Sequence, residues 1–149
     1  MQLSKNLLLS EVIKSQTAIR KGIDNTPNNK HLFNLKLIAD NVFQPLRDWY
    51  GKPITISSGY RSPELNSAIG GSLTSQHSNG QALDLDTVSD NLKLFNYIKS
   101  NLPFDQLIYE FGDDDNPAWV HVSYSRDNNR GQVLRAVKVN GKTKYLANE

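Results

Sequence analysis

Ser75-Gln-His-Ser-Asn-Gly-Gln-Ala-Leu-Asp-Leu-Asp86 decides the fold, because it passes from small polar residues through one glycine into strict alternation. From Ala82 to Asp86 the two leucines fall on one side of an extended strand, and Ala82, Asp84 and Asp86 fall on the other. Such a strand covers a core with one face and offers carboxylates on the other. Gly80 permits the tight turn into it.

Downstream, Leu94, Phe95 and Ile98 have helical spacing within Asp90 to Leu102. Gln106 to Phe111 and Ala118 to Tyr124 read as strands flanking an acidic turn, Gly112-Asp-Asp-Asp-Asn-Pro117, and are expected to pair. Val133 to Val139 and Lys142 to Leu146 surround Asn140-Gly141, the dipeptide suited to a type I′ hairpin because both central residues need positive φ.

Upstream, Ile54-Thr-Ile-Ser57 predicts a short strand. Ser62-Pro63-Glu64 predicts a helix with a serine cap and proline at its first position, ending at Gly70-Gly71. Asn28 to Tyr50 keeps Leu32, Leu35, Ile38, Val42, Phe43 and Leu46 on one helical face and stops at Gly51, with Pro45 either kinking the helix or dividing it. A further capping pattern opens at Ser10. Helices come first, then strands joined by hairpin-length connections. This order predicts an α+β fold with an antiparallel sheet, and the absence of repeats or a linker predicts one domain over 1–149.

Composition narrows the function. The 149 residues carry 17 Lys+Arg against 15 Asp+Glu, a net +2, spread without the basic stripe a nucleic-acid surface needs. No nucleic-acid partner is expected. There is no cysteine, which closes thiolate metal sites and cysteine nucleophiles. The N-terminal apolar run is only Leu7-Leu-Leu9, too short for a signal peptide core, so neither export nor membrane anchoring is expected.

Of three histidines, His31 reads as a solvated helix residue. His77, Asp84 and His121 could supply the three nitrogen and oxygen ligands that catalytic zinc takes while keeping one position for water. His121 shares a strand face with Trp119 and Ser123, opposite Val120, Val122 and Tyr124. The plainer alternative makes His77 a solvated loop residue and His121 a satisfied strand histidine.

The wider pattern comprises Ser58-Gly-Tyr-Arg-Ser62, Ser75-Gln-His77-Ser-Asn-Gly80-Gln-Ala82-Leu-Asp84 and Trp119-Val-His121-Val-Ser123. It resembles the zinc D-Ala-D-Ala carboxypeptidase and L-alanyl-D-glutamate endopeptidase family of peptidoglycan peptidases. The resemblance runs from Leu9-Ser-Glu11 and Gly22-Ile-Asp-Asn-Thr-Pro27 through the closing hairpin. It implies the fold shared with hedgehog signalling domains: an antiparallel sheet carrying the zinc site, with helices on the other face. It also implies that His77, Asp84 and His121 bind Zn2+, that Arg61 holds the substrate and its developing oxyanion, and that Ser75 lines the site.

The chain departs from that pattern at Ala118, where many members carry an acid three residues before the last histidine. Glu110, on the strand expected to pair with that of His121, is the best replacement as general base and proton donor. Its alternative is an exposed strand carboxylate. Asp113, Asp114 and Asp115 are rivals in what reads as a solvated turn, and Asp86 is a candidate to orient a ligand.

The expected activity is zinc-dependent hydrolysis of amide bonds in peptidoglycan stem peptides or cross-bridges by a monomer. The alternative is a zinc-stabilised module that binds cell-wall peptide or protein without cleaving it. With no export signal expected, the protein would reach the wall after lysis or from a virion.

Overall fold

A computed structural model describes residues 1–148. Strands β1 (Gln2–Ser4) and β2 (Leu7–Leu8) form a small hairpin that leads into α1 (Leu9–Ile13). Ser10 is not the cap expected of it, because the Glu11 carboxylate already accepts from the Leu8 amide at 2.8 Å and Ser10 falls inside the first turn. Ser15 instead caps the next helix, α2 (Gln16–Lys21), accepting from the Ala18 amide at 3.2 Å.

The Asn28 side chain accepts from the His31 amide at 2.8 Å and starts α3 (Asn29–Ile38). The helix then widens into one π-type turn, Ala39–Phe43, where the Gln44 amide donates to the Ala39 carbonyl, and continues as α4 (Gln44–Tyr50) to a left-handed stop at Gly51. Pro45 explains the division. It has no N–H to give in a continuous helix, and the wide turn places it in the first turn of a new helix, where that donor is not needed.

Strand β3 (Thr55–Ser58) is followed by α5 (Pro63–Ala68), with Ser62 Oγ accepting from the Leu65 amide at 3.2 Å. The polar loop after it contains a 3-10 turn, Gln76–Asn79, which its composition does not announce. Then come β4 (Ala82–Asp86), α6 (Asn91–Asn101), β5 (Gln106–Glu110), β6 (Trp119–Ser123), β7 (Gln132–Val139) and β8 (Lys142–Ala147). Asn140 and Gly141 both have positive φ, 53° and 77°, as the terminal hairpin requires.

Six strands form one sheet in the order β3-β4-β6-β5-β7-β8. All neighbours run antiparallel except β5 and β7, which are parallel, so the α+β class holds while the sheet is mixed. The reason is geometric. β6 ends beside the start of β5, so a strand joining the free edge of β5 begins at that same end. The Gly131 and Gln132 amides fix the start of β7 by donating to the Phe104 and Asp105 carbonyls at 3.1 and 2.9 Å.

One face of the sheet holds the core. Ile56, Leu83, Leu85, Leu107, Tyr109, Val120 and Val122 pack with Leu35, Ile38, Val42, Phe43 and Leu46 of the long helical segment and Leu94, Phe95 and Ile98 of α6. Each buried leucine or isoleucine contributes about 1.5–3 kcal/mol relative to exposure. Alternation then turns the intervening residues, Asp84, Ile108, Glu110 and His121, to the other face, which lines a cleft.

Candidate metal centre

Asp84 and His121 are direct partners across β4 and β6, a register that brings their side chains together on the cleft face. Asp84 Oδ1 lies 3.0 Å from His121 Nδ1 and 3.4 Å from His77 Nε2. One ligand atom from each of these three buried residues lies within 4.8 Å of the others. His77 enters from the 3-10 turn and is set by local bonds: its amide donates to Ser75 Oγ at 3.3 Å, and its Nδ1 sits 2.7 Å from the Gly59 carbonyl.

That last contact fixes the tautomer of a neutral His77. A carbonyl only accepts, so Nδ1 carries the hydrogen and Nε2 presents its lone pair toward Asp84 Oδ1. Two acceptors facing each other at 3.4 Å call for a cation between them. Ligands at about 2.0–2.1 Å from a tetrahedral ion are about 3.3–3.4 Å apart. The observed separations of 3.0 and 3.4 Å are close to such edges, so the residues present fit the metal.

Electrostatics prepare the same donors. Burial lowers the pKa of His77 against the opposing charge of Asp84, which favours the neutral ligand form. For Asp84 burial acts upward, but when the two imidazoles are protonated the charge they carry and the hydrogen bonds they donate outweigh it and hold the carboxyl below the usual range. Burial and the Asp84 charge push Glu110 up to about 7, against an opposing pull from His121.

The cleft has a volume of about 690 Å³ and is open to solvent; Glu110, Arg61 and Ser75 line it together with the three ligand candidates. Glu110 is 7% exposed rather than a solvated strand carboxylate. The Arg61 amide donates to the His77 carbonyl at 3.2 Å, and burial lowers its guanidinium pKa while Asp84 pulls it upward. Arg61 Nε is buried without a hydrogen-bond partner among the described residues, leaving a donor free.

A family model described as Peptidase M15 matches residues 5–123. The chain belongs to the M15 peptidase family. M15 peptidases are zinc-dependent, in keeping with the His-Asp-His group of this M15 chain. The match ends at Ser123, short of the terminal hairpin to which the motif resemblance extended. No match to a curated protein was found.

Other candidates fall outside the cleft. Asp86 Oδ1 accepts from the Val88 amide and Asn91 Nδ2, so it shapes the turn into α6 rather than orienting a ligand. Asp113 Oδ1 accepts from the Asp115 and Asn116 amides, and Asp114 pairs with Arg135 Nη1 at 2.8 Å. His31 is half-buried, not solvated: its Nδ1 sits 3.0 Å from the Tyr60 hydroxyl.

Three supports were not foreseen from the sequence. The Gly59 carbonyl is backbone chemistry that no residue type signals. Asp105 binds Gln76 and Arg130 through contacts distant in sequence. Lys138 and Tyr145 reach the cleft from the hairpin, and the one readable sign was that Thr143 and Tyr145 share a strand face.

Proposed function

We propose that this M15 peptidase hydrolyses amide bonds of bacterial peptidoglycan stem peptides or cross-bridges, with Zn2+ held by His77, Asp84 and His121. The observation that supports it is the convergence of two imidazole nitrogens and a carboxylate oxygen in an open cleft that the buried Glu110 also lines. When bound, zinc supplies Lewis-acid polarisation of the scissile carbonyl and an acidified water.

The chain supplies the rest. The Glu110 carboxylate accepts a proton from the attacking water and returns it to the leaving amine, a task suited to a group whose pKa lies near the working pH. Arg61 offers a fixed cation and a free N–H where negative charge develops on the carbonyl oxygen. Ser75, besides holding the His77 amide, presents its surface to the bound peptide. Glu110 takes the place of the acid that Ala118 does not provide.

The protein acts as a monomer on wall peptides, reached after lysis or from a virion. Among the described residues no helix is long and apolar enough to cross a membrane. The test is amine release from purified peptidoglycan by zinc-loaded protein. Release that is lost in His77→Ala and Glu110→Gln supports hydrolysis; peptide binding without release, unchanged in Glu110→Gln, shows a binding module instead.

A further inference from the structure

We infer that the β7–β8 hairpin forms the substrate-binding wall of the cleft, with the Tyr145 hydroxyl donating a hydrogen bond to the bound peptide and the Lys138 ammonium pairing with a peptide carboxylate. The inference rests on the peptidase reading and adds the residues that select its substrate.

The register places both residues. Glu110 pairs with Ala136 on β7, and Ala136 pairs with Tyr145 on β8, so the three form one row across the sheet. Glu110 and Tyr145 are thus two strand spacings apart, about 9.6 Å across the sheet. The residue between them is a fully buried alanine, the smallest side chain of the row. Tyr145 and Glu110 line the same cleft.

The phenol is well suited to donate. Tyr145 is 54% exposed, and its hydroxyl has no hydrogen-bond partner among the described residues. Burial of part of the ring, with the nearby charges of Glu110 and Asp84, raises its pKa and keeps the proton on oxygen.

Lys138 gives the wall its charge. It pairs with Thr143 across the hairpin, donating to Thr143 Oγ1 at 3.1 Å, and its ammonium lies 5.4 Å from the Phe111 ring centre. No carboxylate of the described residues pairs with it. Arg61, three residues past the edge strand β3, and Lys138, on β7, therefore bring positive charge to the cleft from either side of Asp84 on β4 and Glu110 on β5. That distribution fits an acidic peptide. The two-residue Asn140-Gly141 turn, with positive φ at both positions, fixes the register that places both residues.

The test compares wild type, Tyr145→Phe and Lys138→Gln, all zinc-loaded, on a peptidoglycan stem peptide with its acidic residue free and on the same peptide with that carboxylate amidated. Tyr145→Phe should lower kcat/KM about tenfold on both peptides, the loss expected for one hydrogen bond, with zinc affinity unchanged. Lys138→Gln should raise KM several-fold for the free acid and leave the amidated peptide unaffected. Calorimetric binding of both peptides to metal-free protein gives a second readout.

Turnover and binding by both variants equal to wild type would overturn the inference while the peptidase reading stands. If wild type cleaves neither peptide, the peptidase reading falls. Binding then decides the hairpin's role, which survives only if the variants bind the free acid more weakly.

Discussion

Gln76 Nε2 donates a hydrogen bond to Asp105 Oδ2 at 2.8 Å, and this bond ties the turn carrying His77 to the start of β5. The same carboxylate takes two side-chain bonds from Arg130, both at 2.9 Å, which hold the loop before β7. One acid thus braces the His77 turn and the base of the terminal hairpin.

Replacing Asp105 with Asn should therefore weaken zinc binding by about 10- to 100-fold without unfolding the chain, as loss of a ligand-orienting contact typically does. Competition with a chelator measures it, and affinity equal to wild type would refute the brace.

The same residue makes a pH prediction. Hydrogen bonds from Arg130 hold the Asp105 carboxyl down to about 2. A lowered folded pKa means stability that is fully present above the unfolded value of about 3.9 and lost as pH falls toward 2. Acid unfolding of Asp105→Asn should lack this component, so the stability gap to wild type should shrink as pH falls from about 4 to 2.

Glu110 sets a second pH dependence. With its pKa near 7 in the metal-free protein, it is mostly protonated at pH 6. A bound dication favours the carboxylate, so zinc binding at pH 6 should expel a proton from this group. Calorimetry in two buffers of different ionisation heat counts that proton, and Glu110→Gln should release fewer. The variant should also lose about 10²- to 10⁴-fold in turnover while retaining zinc.

Gly80→Ala tests the entry to β4. Gly80 has φ +71°, and an added Cβ would stand 2.5 Å from the His31 carbonyl oxygen. A destabilisation of about 2 kcal/mol is expected, visible as a fall in Tm, together with weaker zinc binding because the turn links His77 to Asp84.

Much of this fold was legible in local patterns. The Leu83 and Leu85 alternation, the Ser62-Pro63 helix start and the Asn140-Gly141 turn each signal their structure over a few residues, and the structure contains all three. The parallel pairing of β5 and β7 was not legible, because it depends on which sheet edge remains free after β6 has docked. Pro45 announced a disturbance but not its form, since a kink and a wide turn both accommodate the missing donor. The Asp-His candidates stood out as residue types on a strand face. Asp86 shared that face but is drawn away by Asn91, a partner invisible in the strand pattern.

The alternation along β4, β5 and β6 has an engineering consequence. Even positions of β5 face the cleft and odd positions face the helices, so the layer that resists heat and the layer that selects a substrate are separately mutable. Repacking beneath Leu107 or Val122 can raise thermal tolerance with the cleft surface unaltered, while new specificities can be selected at the terminal hairpin without drawing on the core.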